Sequence, residues 1–182
     1  VEQQKLEEMG IGARVQPIII SNPQDYKICY ETTTIPKVYL CSHPGSNKEY
    51  GVGIVEEIFR EAECEFHIYG VSGHSHDNVY YHGEVSNEQF DKEIQNYQCA
   101  LRLNRFDGAS EVMTKSILMG QYPITYIKYP HIDSCRSTSE LVYLLGQLRY
   151  KREPNFKARK KWVTILNKSM DDILTPQNVG EK

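Results

Sequence analysis

Residues 99–120 read CALRLNRFDGASEVMTKSILMG and contain the pattern that is most informative about the fold class. Residues 99–103 have the continuous apolar character of a strand that is covered on both faces of a sheet. The turn that follows enters a predicted helix over residues 109–119, which Gly120 closes. A strand, a short turn and a helix in this order predict one unit of an open α/β sheet.

The same alternation extends in both directions from this unit. Further strands are predicted at 37–42, 65–69, 78–82 and 122–127. Further helices are predicted at 51–62, 86–97, 137–149 and 156–174. Strands that are separated by helix-length crossovers pair in parallel, so we expect an α/β, Rossmann-like three-layer sandwich with a mainly parallel sheet.

The 182 residues divide into three predicted segments. Residues 1–34 are expected to be an interdomain segment and connector, since 21–35 is polar and rich in turn residues. Residues 35–150 form the Rossmann-like domain, and 151–182 form a basic helix and tail. The chain begins with Val1, so we expect it to be a piece of something longer.

Composition excludes several classes of protein. A net charge of −3, from 21 basic and 24 acidic residues, gives no whole-protein footprint for nucleic acid. A mean hydropathy of −0.55 excludes a membrane bundle. The five cysteines have no CxxC spacing and indicate reduced thiols. No signal peptide is visible, so the predicted location is the cytoplasm.

The turn at 104–110 is the first candidate site, because ligands of open parallel sheets bind at the carboxyl ends of the strands. Backbone N–H groups at the following helix start attract anions, and Arg102 and Arg105 could pair with a diphosphate. Asp107 could accept hydrogen bonds from sugar hydroxyls. The alternative is that Asp107 or Ser110 only caps the helix and both arginines are solvated. No GxGxxG follows the first strand, so a dinucleotide site is not supported.

Four short motifs carry a family resemblance. They are YHGEVSNEQF at 81–90, NYQCA at 96–100, NRFDG at 104–108 and GQYPI at 120–124. Their order and spacing resemble the carboxyl-terminal, donor-binding domain of family-4-like glycosyltransferases, which have the two-lobed glycosyltransferase-B fold. EEMGIGARVQP at 7–17 resembles the interdomain segment of that family. The resemblance covers roughly residues 5–150.

The resemblance implies transfer of a sugar from a nucleoside diphosphate sugar to an acceptor hydroxyl, in glycan or polysaccharide synthesis, with no metal or other cofactor. It implies catalytic roles for Asp107, which orients the sugar, and for Arg105 and Lys48, which stabilise the diphosphate. The implied donor-binding positions are Gly45, Glu84, Val85, Gly108, Ala109, Ser110, Glu111 and Lys115. The acceptor would bind largely to an amino-terminal lobe that this chain lacks, so the chain alone is expected to bind the donor weakly.

Two positions depart from the family pattern. Lys115 stands where the second acidic residue of a Glu-x7-Glu motif holds the ribose, and a lysine cannot accept those hydrogen bonds. Replacing Lys115 by Glu is therefore expected to restore ribose binding. Tyr50 takes the place of a lysine, for which Lys48 would substitute, and His43 takes roughly the place of an arginine.

These departures keep two other hypotheses open. The first is a non-catalytic interaction module that descends from such a lobe and has no nucleotide-sugar binding. The second is a free-standing, flavodoxin-like ligand-binding domain. Ser86, beside the turn expected to hold the nucleotide base, could equally be only a helix cap.

Two further clusters each allow more than one interpretation. His74, His76, Asp77 and His82 suggest a metal site, but a solvated loop tip is the interpretation we favour, and we predict no metal. Residues 149–161 hold seven basic residues. They could form a solvated helix face, contact an anionic membrane surface at the inner face of a membrane, or bind nucleic acid, which we do not expect.

Overall fold

The computed structural model describes residues 8–10, 22–45, 50–105 and 110–174. Within these ranges the sheet contains β1 Lys37–Cys41, β2 Glu65–Tyr69, β3 Val79–Gly83, β4 Cys99–Arg102, β5 Ile124–Thr125 and β6 Asp133–Ser134. The helices are α1 Val52–Ile58, α2 Asn87–Glu93, α3 Glu111–Leu118, α4 Thr138–Gln147 and α5 Phe156–Leu174. Short 3-10 turns occupy Pro23–Asp25, Ile94–Asn96 and Leu148–Tyr150.

The six strands form one sheet in the order β3-β2-β1-β4-β5-β6. Each neighbouring pair is parallel. The predicted α/β, Rossmann-like sandwich is therefore confirmed. The chain builds outward from β1 to one edge and then returns to build from β4 to the other. The order thus reverses between β1 and β4, the place where such sheets form a crevice at their carboxyl edge.

Burial on both faces of the sheet explains the apolar strands. Val38 and Leu40 of β1 point to one face, where they join a core with α1 and α4. Tyr39 points to the other face and packs with Ala100 of β4 and with residues of α3 and α5. Because successive strand residues alternate between the faces, a strand that is covered on both sides must be apolar throughout.

Helix α5 packs against the domain through both apolar and polar groups. Ala158 and Leu166 are buried. The Arg159 guanidinium donates to the carbonyl oxygens of Leu118 at 2.7 Å and Tyr26 at 3.1 Å. The Trp162 indole donates to the carbonyl oxygen of Pro130 at 2.9 Å. This helix therefore packs against α3 as part of the domain.

The basic residues of 149–161 are divided by this packing. Arg149 forms an ion pair with Glu63, and Arg159 donates hydrogen bonds to backbone carbonyl oxygens. Lys157, Lys160 and Lys161 remain exposed. These exposed lysines fit either a solvated face or a membrane surface, so that choice stays a prediction. Across the described ranges, no helix combines the length and apolar character needed to cross a membrane.

Candidate functional site

A cavity of about 430 Å³ opens at the carboxyl ends of β1 to β4, where the strand order reverses. We call it the switch-point cavity. Its lining includes Ser42, His43, Gly70, Glu84, Val85, Arg102, Glu111, Val112 and Lys115. These residues end or follow four different strands or lie in the first five positions of α3, so the topology brings together segments that lie far apart in the sequence.

At the floor of the cavity, the backbone segments at the ends of β1, β2 and β3 lie in close contact. The amide of Ser42 donates to the carbonyl oxygen of Tyr69 at 2.9 Å, and the amide of Gly70 donates to that of Gly83 at 2.8 Å. Gly70 has φ +83°, and a Cβ there would overlap the carbonyl oxygen of Ser42. The ends of β1, β2 and β3 can therefore converge only around a glycine.

The start of α3 supplies one wall of the cavity. Ser110 is the N-cap, and its hydroxyl oxygen accepts from the amide of Met113 at 3.4 Å. Glu111 and Val112, the first residues of the helix, line the cavity. Their amides lie in the first turn, where the helix dipole is positive and attracts an anion.

Besides Lys115, two basic side chains line the cavity near that helix start. They are Arg102, at the end of β4, and His43, after β1. The Arg102 guanidinium lies over the ring of Tyr50, 4.7 Å from its centroid. The same tyrosine ring meets the imidazole of His43 edge-on at 5.4 Å. Tyr50 therefore holds both side chains in place, since each contacts its ring.

Lys115 forms an ion-pair cluster in the wall of the cavity, in which the lysine is buried and its two carboxylate partners are about half exposed. Its ammonium lies 2.7 Å from Asp91 Oδ1 and 2.9 Å from Glu111 Oε1, although the residue is only 8% exposed. Burial acts to lower the pKa of Lys115, but the hydrogen bonds to Asp91 and Glu111 outweigh it and raise that pKa. The lysine therefore stays charged, and its charge is matched inside the protein.

A polar network supports the cavity from behind, between β2, β3 and α2. The Tyr69 hydroxyl donates to Glu93 Oε2 at 2.7 Å and lies 2.7 Å from the Tyr97 hydroxyl. The Tyr97 hydroxyl is 3.2 Å from His67 Nδ1, which lies 2.9 Å from His82 Nε2. This network fixes α2, the helix that carries Asp91, against the sheet.

Burial sets the protonation of this network. It lowers the pKa of His67 to about 4, with His82 and Lys37 adding to the shift. It also lowers the pKa of His82. Hydrogen bonds from Gln89 and Tyr69 lower the pKa of the Glu93 carboxyl. Near neutral pH both imidazoles are therefore uncharged and Glu93 is ionised.

We expect stability to fall as the pH drops from about 7 to 5, because of His67. The unfolded imidazole titrates near 6.5 and the folded one near 4, so the unfolded state binds more protons between these values. The contribution is complete above about pH 6.5 and amounts to about 3 kcal/mol if the whole shift is lost. The charge of Glu93 favours the protonated imidazole and so limits the lowering of the His67 pKa.

Urea unfolding at both pH values measures this effect. His67→Gln should flatten the pH dependence, whereas His74→Gln, on an exposed loop, should leave it unchanged. Equal stability of the unaltered protein at pH 7 and pH 5 would contradict the assignment.

A second cavity, of about 1130 Å³, lies at the carboxyl ends of β4, β5 and β6. We call it the β4–β6 cavity. Its lining includes Tyr50, Asn104, Arg105, Tyr126, Arg136, Ser137 and Thr138. Tyr50 separates the two cavities, because it lines this one while its ring contacts Arg102 and His43 of the other.

The structure brings together only part of the predicted site. Glu84, Val85, Glu111 and Lys115 line the switch-point cavity, with Ser110 as the cap beside them. Arg105 lies in the β4–β6 cavity, and Gly45 lies in the turn after β1 with φ +84°. Asp107, Lys48, Gly108 and Ala109 lie outside the described residues.

The three histidines considered as metal ligands each have different surroundings. His76 bonds Glu56 at 3.0 Å, His82 joins the network behind the cavity, and His74 is exposed. Among the residues that the structure describes, there is no group of three or more His, Cys, Asp or Glu that could hold a metal ion.

Several solved structures with a similar fold are glycosyltransferases. TarM aligns with a TM-score of 0.62 at 15% identity, over 96% of this chain and 41% of TarM. A mutant of S. aureus TarM, crystallised with UDP among its ligands, aligns with a TM-score of 0.53 at 13% identity, over 82% of this chain and 35% of that one. The lipopolysaccharide outer core galactosyltransferase WaaB aligns with a TM-score of 0.56 at 13% identity, over 83% and 56%. No family model and no curated protein sequence matches the chain.

The chain therefore has the fold of one lobe of a glycosyltransferase-B enzyme. It spans 41% of TarM and 56% of WaaB, and so corresponds to a part of these proteins. The resemblance to this class that the motifs predicted is confirmed at the level of the fold.

Proposed function

We propose that this chain is the donor-binding lobe of a glycosyltransferase, and that a nucleoside diphosphate sugar binds in the switch-point cavity. The observation that carries the proposal is the position of this cavity. It lies where the strand order reverses, and it combines a helix start, an arginine and carboxylates. A helix start with an arginine suits a diphosphate, and carboxylates suit the hydroxyl groups of a nucleoside.

The diphosphate fits the wall made by α3. The amides of Glu111 and Val112 lie in the first turn of this helix, and Arg102 and His43 line the same space. A guanidinium and helix-start amides are positioned in advance, so they would stabilise the charge that develops on the leaving diphosphate. Arg102 fits this role better than Arg105, which lies in the other cavity.

The nucleoside fits the side of the cavity formed by Glu84, Val85 and Glu111. The backbone at Val85 would meet the base. Glu111 would accept the hydrogen bonds of the ribose hydroxyls, since its side chain is about half exposed while Lys115 holds Oε1 at 2.9 Å. Glu111 thus replaces, from one helical turn earlier, the carboxylate that is missing at position 115.

The reaction assigned to this lobe is the transfer of a hexose to an acceptor hydroxyl in glycan synthesis. The lobe holds the donor and stabilises the departing diphosphate, with no covalent chemistry of its own. The acceptor would bind mainly to a second lobe. Asp107, Lys48, Gly108 and Ala109 keep their proposed roles in orienting the sugar and binding the phosphates.

Calorimetric titration with UDP, GDP, ADP and dTDP tests the proposal. We expect saturable binding of one nucleotide, with a dissociation constant on the order of 1 mM. UDP is the first nucleotide to test, because a TarM structure contains it. Glu111→Gln should weaken binding about tenfold, since a charged acceptor is lost. Glu61→Gln, an exposed control outside the cavity, should not.

The same titration separates the two classes of hypothesis. Binding that is weakened only by Glu111→Gln supports the donor lobe. No saturable binding of any nucleotide would favour the non-catalytic interaction module. Equal affinities of the Glu111→Gln and Glu61→Gln variants would show that Glu111 takes no part in binding.

A further inference from the structure

The β4–β6 cavity has the chemistry of a second binding site. Its volume of about 1130 Å³ is slightly above the usual range of roughly 300–1,000 Å³ for ligand sites. It lies at the carboxyl edge of the sheet, and the ring of Tyr50 stands between it and the switch-point cavity. Two ligands, one in each cavity, would therefore lie side by side.

The charged side chains in the described lining of this cavity are both positive. They are Arg105, after β4, and Arg136, just before α4. No acidic side chain is part of that described lining. Glu140 lies nearby, but its Oε2 accepts from the amide of Arg136 at 2.6 Å, so this carboxylate is used at the start of α4. Ser137 and Thr138 add hydroxyl groups at the same helix start.

A buried amide gives a second, independent indication of a ligand. Asn104 is 7% exposed and lines the cavity, and its Oδ1 has no hydrogen-bond partner among the residues that the structure describes. A buried acceptor without a partner is costly, so its presence beside a cavity points to a donor that comes from a ligand. Hydroxyl groups of a sugar are such donors. Tyr50 and Tyr126 add aromatic surface on which the apolar side of a sugar ring can pack.

We propose that the β4–β6 cavity binds the anionic part of a saccharide acceptor, a sugar that carries phosphate or carboxylate groups, while the rest of the acceptor lies against the second lobe. Arg105 and Arg136 bind the anionic group, and Asn104 accepts from a hydroxyl. The acceptor role rests on the proposed function, whereas the binding of an anionic sugar can be tested separately. Arg105 then recognises the acceptor rather than the donor diphosphate.

Amide chemical-shift mapping of this chain tests the proposal. The probes are glucose 6-phosphate, glucuronate and uncharged glucose, with UDP in a separate titration. We expect saturable shifts near Arg105, Arg136 and Thr138 with one or both charged sugars, at least tenfold tighter than with glucose. Arg105→Gln and Arg136→Gln should each weaken binding about tenfold. Arg152→Gln removes the same charge from an exposed position at the opposite edge of the sheet and should not.

Each outcome decides the question. Shifts with glucose 6-phosphate alone identify phosphate, and shifts with glucuronate alone identify carboxylate; either supports the proposal. No saturable shifts in this cavity, or equal weakening by Arg152→Gln, overturns it. The UDP titration reports on residues 84–85 and 111–115. If UDP binds and the anionic sugars do not, the donor site is therefore supported and the second site is refuted. If the anionic sugars bind and UDP does not, the donor site is refuted instead.

Discussion

Gly70→Ala is expected to lower the free energy of unfolding by about 4 kcal/mol. The new Cβ would overlap the carbonyl oxygen of Ser42, and φ is +83°. Because that oxygen belongs to the backbone just after β1, relief requires moving one strand end relative to another. That movement would also break the hydrogen bond that the amide of Gly70 donates to the carbonyl oxygen of Gly83. Urea unfolding and a nucleotide titration of the variant measure both consequences.

Gly53→Ala is the matched control. Gly53 lies within α1, and a Cβ added there would have no described atom outside its own helix backbone within 4 Å. Alanine is the better helix former, so this change should stabilise the protein by about 0.5–1 kcal/mol. If Gly70→Ala were as stable as the unaltered protein, the close approach at the cavity floor would be wrong.

Lys115→Glu is expected to destabilise the protein by about 2–3 kcal/mol and to weaken nucleotide binding more than tenfold. The change places a third carboxylate beside Asp91 and Glu111, whose side chains are 43% and 54% exposed, and solvent screening keeps the loss below that of a fully buried pair. This reverses the expectation from the family pattern, in which Glu at position 115 restores ribose binding. The structure explains the reversal, since Lys115 holds Glu111.

The charge-swapped double variant Asp91→Lys with Lys115→Glu is the control for this prediction. A lysine at position 91 would again place one cation among the carboxylates, so at least half of the lost stability should return. Thermal unfolding of the single and double variants gives the comparison. Tighter nucleotide binding by the Lys115→Glu single variant would mean that the family geometry holds and that the ion-pair cluster has no role.

The sheet is predictable because each central strand is buried on both faces. The sequence predicts a strand at 65–69, and β2 is Glu65–Tyr69. The edge strand β6, Asp133–Ser134, escapes prediction, because two exposed polar residues pair through the backbone and leave no hydrophobic pattern. The predicted helix at 86–97 ends at Glu93, where the chain tightens into the 3-10 turn Ile94–Asn96 and buries Ile94.

The site is predictable only as far as strand ends are visible in the sequence. Glu84 and Val85 follow one strand and Glu111 begins a helix after another, so their meeting in one cavity follows from parallel topology. The pairing of Lys115 with Asp91 does not follow from the topology, because Asp91 lies 24 residues away on another helix. The division of Arg102 and Arg105 between two cavities depends on side-chain direction at the end of β4, which their spacing does not reveal.

The most direct test of the donor-binding lobe is to map where UDP binds, by amide chemical shifts of the isotope-labelled chain. Donor binding in the switch-point cavity predicts saturable shifts that cluster at 42–43, 84–85 and 111–115. It also predicts that Glu111→Gln reduces them. Shifts that cluster at the opposite edge of the sheet, around 32–34 and Arg152, or no saturable shifts at all, would contradict it.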